Sequence, residues 1–207
     1  MIRLHFEKKD TAIWMSHLDL TRCMSRAMRR AQIPVWQTQG FNPHPYMVFS
    51  APLSLGIEGR KELMDIRLNE PVPANQLKER INACLCPGLR IVEVTEGEMD
   101  FNQIAAAEYE IQLEGLSAAQ WEYFWSAESI PVEKKTKKGT TAVDLKQELR
   151  ILETNWKEDG WNIRVIAPCG NQKNVNPLLL VQALIENKEQ LYRISRCRFF
   201  TKTGEEF

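Results

Sequence analysis

Residues 16–32 read SHLDLTRCMSRAMRRAQ, and this stretch has the clearest structural signal in the first half of the chain. Ser16 followed by Asp19 has the spacing of a helix capping box, so we predict a helix from Ser16 to about Gln32. One face of that helix is apolar and carries Leu20, Met24, Ala27, Met28 and Ala31. The opposite face carries four arginines, which are Arg22, Arg26, Arg29 and Arg30.

Strands and a second helix are predicted on either side of this helix. Residues 2–8 alternate in polarity as a strand does, and further strands are predicted at 46–53, 62–69 and 89–96. Residues 74–86 carry the apolar stripe of a second helix. The order strand, helix, two strands, helix, strand is that of a ferredoxin-like, or split βαβ, unit.

The second half of the chain repeats this order less clearly. Strands are predicted at 109–113, 131–137, 163–167 and 192–200, and helices at 117–127, 144–156 and 177–187. We therefore predict an α+β protein of two ferredoxin-like units in tandem, with antiparallel sheets and helices on one face. The first unit spans residues 1–100 and the second spans 107–207, although residues 135–160 fit the repeat poorly.

Composition and targeting signals indicate the class of protein. The formal net charge is zero, and no apolar run reaches the roughly 18 residues of a membrane span. The N-terminus lacks the basic start and apolar stretch of a signal peptide. We therefore expect a cytoplasmic protein with no membrane association. The five cysteines are odd in number and irregularly spaced, which favours reduced, mostly buried thiols over disulfides.

Charge is distributed unevenly along the chain. Residues 1–60 contain eight basic and four acidic residues, a balance of +4, and the remainder therefore carries −4. A partner that carries phosphates should meet the first segment. The arginine face of the helix is either a solvated surface or a phosphate-tracking one, because guanidinium groups pair well with phosphate.

The segment Gln39-Gly40-Phe41-Asn42-Pro43-His44-Pro45 is dense in turn-forming residues. Its prolines can hold two amides and an imidazole in fixed directions, so we predict a binding site formed by Gln39, Asn42 and His44. The alternative is that Asn42 and His44 bond to the backbone of their own loop. His17 either reaches toward this loop or, as we favour, is a packed and hydrogen-bonded core histidine.

No cofactor or metal motif is found in the sequence. His5, His17 and His44 lack the close spacing of a zinc site, and the thiols of Cys84 and Cys86 should diverge on a helix. The sequence has no Cys-x3-Cys-x2-Cys run, the usual ligand set of a radical-SAM cluster. We therefore predict no metal and no cofactor in this chain.

Several stretches resemble the radical-SAM-linked proteins, a bacterial family usually fused to, or encoded beside, a cobalamin-binding-type radical-SAM protein. The matching stretches are SHLDL at 16–20, RAMRRA at 26–31, QGFNPHP at 39–45, PLSLGIE at 52–58 and LMDI at 63–66. The resemblance covers about residues 1–95, and Gly59 stands where that family usually has serine. It implies a radical-SAM protein as partner but supplies no mechanism.

Together these features predict a non-catalytic accessory or substrate-binding module that works with a radical-SAM enzyme and presents RNA. Pairs of ferredoxin-like units occur in several RNA-handling families, including pseudouridine synthases and CRISPR endoribonucleases, which is an analogy of fold alone. One alternative is a stand-alone RNA-processing or RNA-modifying enzyme that uses His44 or His17 as acid or base. Another is a purely structural docking subunit.

Overall fold

The computed structural model describes residues 1–136, 139–157, 160–185 and 190–207 of the chain. The protein is of the α+β class, with mostly antiparallel sheet and a few helices, which confirms that part of the prediction. The chain divides into two compact units, Met1–Gln103 and Ile104–Phe207.

The first unit alternates strands and helices in the predicted order. Its elements are β1 (Ile2–Lys8), a 3-10 helix (Asp10–Trp14), α1 (His17–Arg30), β2 (Met47–Phe49), β3 (Ile57–Ile66), α2 (Ala74–Asn82), β4 (Leu89–Glu96) and a second 3-10 helix (Phe101–Gln103). The strands lie in the order β4-β1-β3-β2, and every neighbouring pair is antiparallel.

β2 is shorter than predicted, and β3 begins and ends earlier than predicted. β2 ends at Phe49 rather than at residue 53, and β3 begins at Ile57 rather than at residue 62. Gly59 lies inside β3, where a Cβ atom would come within 2.3 Å of the Glu62 Cγ. A serine at this position would therefore displace the buried Glu62 side chain, which explains the glycine in this chain.

One apolar core joins both helices to a single face of the first sheet. The sheet contributes buried side chains that include Leu4, Phe6, Met64, Ile66 and Ile91, and the helices contribute Leu20, Met24, Met28, Leu77 and Ile81. Burying a side chain of this size contributes about 1.5–3 kcal/mol. The apolar stripe of α1 therefore fixes which side of that helix faces solvent.

The opposite face of the same sheet carries a buried ion pair. Arg3 donates two hydrogen bonds to the Asp65 carboxylate, at 2.8 and 2.9 Å, and a third to the Met99 carbonyl at 2.6 Å. The guanidinium of Arg3 also lies 4.5 Å from the ring centre of Phe101. This face is therefore held by directional polar contacts, whereas the helix-bearing face is held by apolar burial.

The second unit also contains a four-stranded antiparallel sheet, in the order β10-β5-β9-β8, and a separate hairpin of β6 and β7. Its elements are β5 (Ile104–Leu113), α3 (Ala118–Ser126), β6 (Pro131–Thr136), β7 (Gly139–Asp144), α4 (Leu145–Glu148), β8 (Arg150–Lys157), β9 (Gly160–Pro168), α5 (Leu178–Leu184) and β10 (Tyr192–Thr201).

The predicted helix at 144–156 is wrong. Only one turn, α4, is helical there, and the Asp144 side chain caps it by accepting the Lys146 N–H at 3.0 Å. The chain then becomes β8, because its backbone pairs with β9 from Arg150 to Lys157. Sheet pairing overrides the local helical pattern. Residue 137 of the predicted strand and residues 186–187 of the predicted helix at 177–187 lie outside the described residues.

A buried carboxylate joins three strands of the second sheet. Glu108 is 3% exposed and accepts hydrogen bonds from Arg164 at 2.7 Å and from Arg198 at 2.8 Å. Burial raises the pKa of the Glu108 carboxyl, but the hydrogen bonds from the two guanidiniums outweigh burial, so the pKa lies below its usual value. Glu108 is therefore ionised in the folded protein at neutral pH.

We predict that Glu108→Gln lowers the free energy of unfolding at pH 7 by about 2 kcal/mol, since it removes hydrogen bonds between charged groups. The wild-type carboxylate stabilises the fold above about pH 4.3, its ordinary unfolded pKa, and this contribution is lost as pH falls through the lower folded pKa. Urea unfolding followed by tryptophan fluorescence, at pH 7 and at acid pH, measures the difference.

Glu153→Gln is the matched control, because Glu153 is about half exposed and pairs with Arg164 at 3.1 Å on the same sheet. We expect a much smaller effect from this exposed pair. Equal destabilisation by the two substitutions at pH 7 would contradict the role assigned to Glu108.

Candidate functional site

The N-terminus of α1 is capped as its sequence predicts. The Ser16 Oγ accepts the Asp19 N–H at 3.1 Å, and the Ser16 hydroxyl donates to the Asp19 carboxylate at 2.6 Å. The helix begins at His17. The Asp19 carboxylate lies in its first turn, where the helix dipole favours negative charge. Asp19 therefore has a structural role at the helix start.

The exposed side of α1 carries the four arginines that the sequence singled out, and all four side chains are exposed: Arg22, Arg26, Arg29 and Arg30. Leu20, Met24, Ala27 and Met28 are buried on the other side. Asp19 is the single acidic residue of the helix, 3.6 Å from Arg22, so the helix carries a net charge of +3. This surface is called the arginine face below.

A narrow hairpin loop projects between α1 and β2. Gln37 pairs with Pro45, and the Thr38 N–H donates to the His44 carbonyl at 2.9 Å. Gly40 turns the chain with φ +132°, a conformation that a side chain would strain. Phe41, beside it at the tip, is fully exposed. The loop therefore holds a large apolar ring in solvent on an ordered backbone.

The backbone of this loop holds His44 in one orientation. The imidazole Nδ1 lies 3.1 Å from the Asn42 carbonyl oxygen, which can only accept, and this geometry favours the tautomer with the ring proton on Nδ1. Thr38 Oγ1 lies 3.0 Å from the same nitrogen and accepts the His44 backbone N–H at 3.1 Å. The His44 side chain is exposed, and within the described ranges no side chain or carbonyl bonds its Nε2. His44 therefore presents an acceptor nitrogen to solvent.

Gln39 and Asn42 are also exposed in the loop, but Asn42 supports His44 through its backbone carbonyl rather than through its amide. The contacts of His44 fit the alternative of a loop that bonds to its own backbone, and the binding role of Gln39, Asn42 and His44 stays a prediction. His44 is tied to its own loop backbone, and one face of its ring remains available for binding.

The favoured interpretation of His17 as a buried core histidine is wrong. His17 is exposed at the start of α1, and its ring packs edge-on against Phe49, with centroids 5.1 Å apart. No hydrogen bond or ring contact among the described residues joins His17 to His44. The two imidazoles are therefore not arranged as an acid–base pair.

The 52–58 stretch contacts the 3-10 helix that precedes α1. The Gly56 N–H donates to the Ile13 carbonyl at 3.1 Å, and the Trp14 ring lies against Gly56. Gly56 has φ +78°.

The 39–45 loop makes no described hydrogen bond or ring contact with the arginine face, so a shared site requires one ligand that spans both features.

The sequence did not predict a close pair of thiols on this unit. Cys23 on α1 and Cys86 after α2 lie with their sulfur atoms 3.6 Å apart, although 63 positions separate them in the chain. Cys84 and Cys86 were predicted to lie on a helix, but α2 ends at Asn82 and both cysteines follow it. The pair forms through the packing of α1 against the segment after α2. The sequence does not reveal it, because Cys23 and Cys86 do not have the spacing of a cysteine motif.

Within the described ranges, no three His, Cys, Asp or Glu side chains are gathered closely enough to hold a metal ion. No described helix is both long and apolar enough to cross a membrane.

A family model described as "Uncharacterized protein conserved in bacteria (DUF2344)" matches residues 1–177. Comparison with curated proteins finds no match. The matched range includes the arginine face, the 39–45 loop and both thiols.

We predict that the neutral imidazole of His44 is protonated on Nδ1, whereas histidine in water favours protonation on Nε2. Long-range proton–nitrogen NMR spectra of the labelled protein above neutral pH distinguish the two tautomers. His44→Gln assigns the signal among the three histidines. An Nε2-protonated ring would contradict the geometry, because the Thr38 hydroxyl would then be the donor.

Proposed function

The chain belongs to the DUF2344 family of bacterial proteins, and we propose that its first unit is an RNA-binding module that works beside a radical-SAM enzyme. The observation that carries the RNA proposal is the arginine face, on which a buried apolar stripe forces four guanidiniums into solvent. Substrate RNA would lie along this helix and reach the exposed hairpin loop at 39–45.

The charge and spacing of the arginine face suit a phosphate backbone. Arg22, Arg26 and Arg30 follow one another at four-residue intervals, so successive guanidiniums rise by about 6 Å along one side of the helix. A guanidinium can make two parallel hydrogen bonds to a phosphate, although that of Arg30 already donates one hydrogen bond to the Cys84 carbonyl. A solvated surface tolerates such charges, but solvation alone does not account for four arginines and only one acidic residue on a single helix.

The hairpin loop adds groups that suit unpaired bases. Sequence-specific RNA recognition uses aromatic rings that stack on exposed bases and polar groups that meet the base edges. Phe41 offers a fully exposed ring, and the nearby His44 Nε2 offers an acceptor. Gln39 and Asn42 offer exposed amides within the same loop. These features favour single-stranded RNA over a duplex.

The strand orders support the finer interpretation of two ferredoxin-like units. β1, α1, β2, β3, α2 and β4 follow the split βαβ order, and their sheet runs β4-β1-β3-β2. The sheet of the second unit, β10-β5-β9-β8, has the same order once the β6–β7 hairpin is treated as an insertion. If both units are ferredoxin-like, the chain has the same pairing of units as several families of RNA-handling proteins. This analogy of fold favours a role with RNA.

The proposed association with a radical-SAM enzyme rests on the resemblance of residues 1–95. In this proposal the partner enzyme supplies the iron–sulfur cluster and the radical chemistry, and this chain binds and presents the substrate in the cytoplasm. Co-purification of the chain with a radical-SAM protein tests the association independently of RNA binding. A stable chain that binds no RNA and still forms that complex would instead be a docking subunit.

The alternative of a stand-alone RNA enzyme rests on one observation, the exposed Nε2 of His44. A general base needs such an unprotonated nitrogen. RNA turnover by the purified chain that His44→Gln abolishes, with RNA binding retained, would favour this alternative.

We predict that Arg22→Gln with Arg26→Gln weakens binding of a single-stranded RNA oligonucleotide by roughly tenfold at moderate salt. Loss of two phosphate contacts should also reduce the slope of log K against log salt by about 1.4. Fluorescence anisotropy over a salt series measures both quantities. The charge-matched control is Arg90→Gln with Arg150→Gln, which removes two other exposed arginines and should leave the slope unchanged.

Phe41→Ala separates stacking from charge in the same assay. Base stacking contributes about 1–3 kcal/mol per base, so affinity should fall while the salt slope stays constant. The RNA proposal is wrong if neither the arginine variant nor Phe41→Ala changes binding, or if the control pair lowers the slope equally.

A further inference from the structure

We propose that Cys23 and Cys86 form a redox-active dithiol that undergoes exchange with small anionic disulfides. Their sulfur atoms lie 3.6 Å apart, Cys23 on α1 and Cys86 in the turn after α2. All five cysteines of the chain are thiols in this structure. Both members of the pair are partly exposed, so a small molecule can reach them.

The pair lies in a cleft that suits a small anion. The cleft has a volume of about 370 Å³, and the two thiols line it together with Arg22, Arg26 and Arg30. A volume of this size lies within the range of small-molecule sites. Three guanidiniums and one carboxylate, that of Asp19, line the cleft. The cleft therefore favours ligands that carry carboxylate groups. A glutathione-type disulfide carries such carboxylates beside its sulfur atoms.

The surroundings of Cys86 indicate different roles for the two thiols. Burial, and then the hydrogen bond to Cys23, raise the pKa of the Cys86 thiol. The Cys86 thiol is therefore harder to deprotonate than an ordinary cysteine, which makes it the weaker nucleophile. This arrangement makes Cys23 the attacking thiol and Cys86 the resolving one.

The exchange balances without any further reactant. The Cys23 thiol loses its proton to solvent, and the thiolate attacks one sulfur of a disulfide R–S–S–R, which forms a Cys23–S–S–R bond and releases R–S⁻; solvent returns a proton to the second R–S⁻ at the end of the exchange. The released thiolate takes the Cys86 proton, and the Cys86 sulfur then attacks Cys23 and expels the second R–S⁻. Two thiols are oxidised to one disulfide while R–S–S–R is reduced to two R–S groups. The two sulfurs must approach by about 1.6 Å to reach bonding distance.

The reduced full-length protein is treated with oxidised glutathione and analysed by intact mass and peptide mapping. We expect an intramolecular disulfide between Cys23 and Cys86, with the mass lowered by two hydrogen atoms. Cys86→Ser should trap glutathione on Cys23, and Cys23→Ser should abolish the disulfide. Cys84→Ser is the matched control, since Cys84 is also partly buried and lies two residues from Cys86; it should behave as wild type.

A second measurement tests the anionic character of the cleft. Arg26→Gln should slow oxidation by glutathione disulfide roughly threefold or more. Its oxidation by neutral 2-hydroxyethyl disulfide should match wild type. A disulfide that maps to other cysteines, or a Cys86→Ser protein that carries no glutathione on Cys23, would overturn the dithiol. Equal slowing with both disulfides would overturn the anionic site.

Discussion

The burial of one side of α1 is the constraint on which the first unit depends. Met24 and Met28 lie at about zero exposure within a core that both helices share with one face of the sheet. Rotating α1 to hide its arginines would expose these side chains, at about 1.5–3 kcal/mol each. The orientation of the arginine face therefore follows from hydrophobic packing, and the charge pattern in turn determines which partners that surface can attract.

Sequence patterns predicted the elements that are specified locally. The period of α1 and its Ser16 cap sufficed for that helix, and the strand–helix order of the first unit followed from periodicity and turn residues. The prediction failed at 144–156, where pairing with β9 converts a helical pattern into β8. It also failed for His17, because periodicity does not distinguish a side chain in the core from one on its rim.

The site was harder to predict than the fold, for a physical reason. Exposed arginines follow from amphipathicity, but the tautomer of His44 depends on a carbonyl two residues away in a specific turn. The contact of Cys23 with Cys86 depends on packing between segments 63 residues apart, which no local pattern encodes. Together, the arginine face, which borders the thiol pair, and the hairpin loop give the first unit two polar surfaces around one apolar core.

The central claim is that RNA lies along α1 and reaches the hairpin tip. Ultraviolet crosslinking of a 4-thiouridine-substituted RNA strand to the full chain, followed by peptide mass spectrometry, tests it most directly. We expect crosslinks within residues 17–30 and at or beside Phe41, and both should be lost when the arginine face is neutralised. Crosslinks confined to residues 104–207, or unchanged after neutralisation, would contradict it.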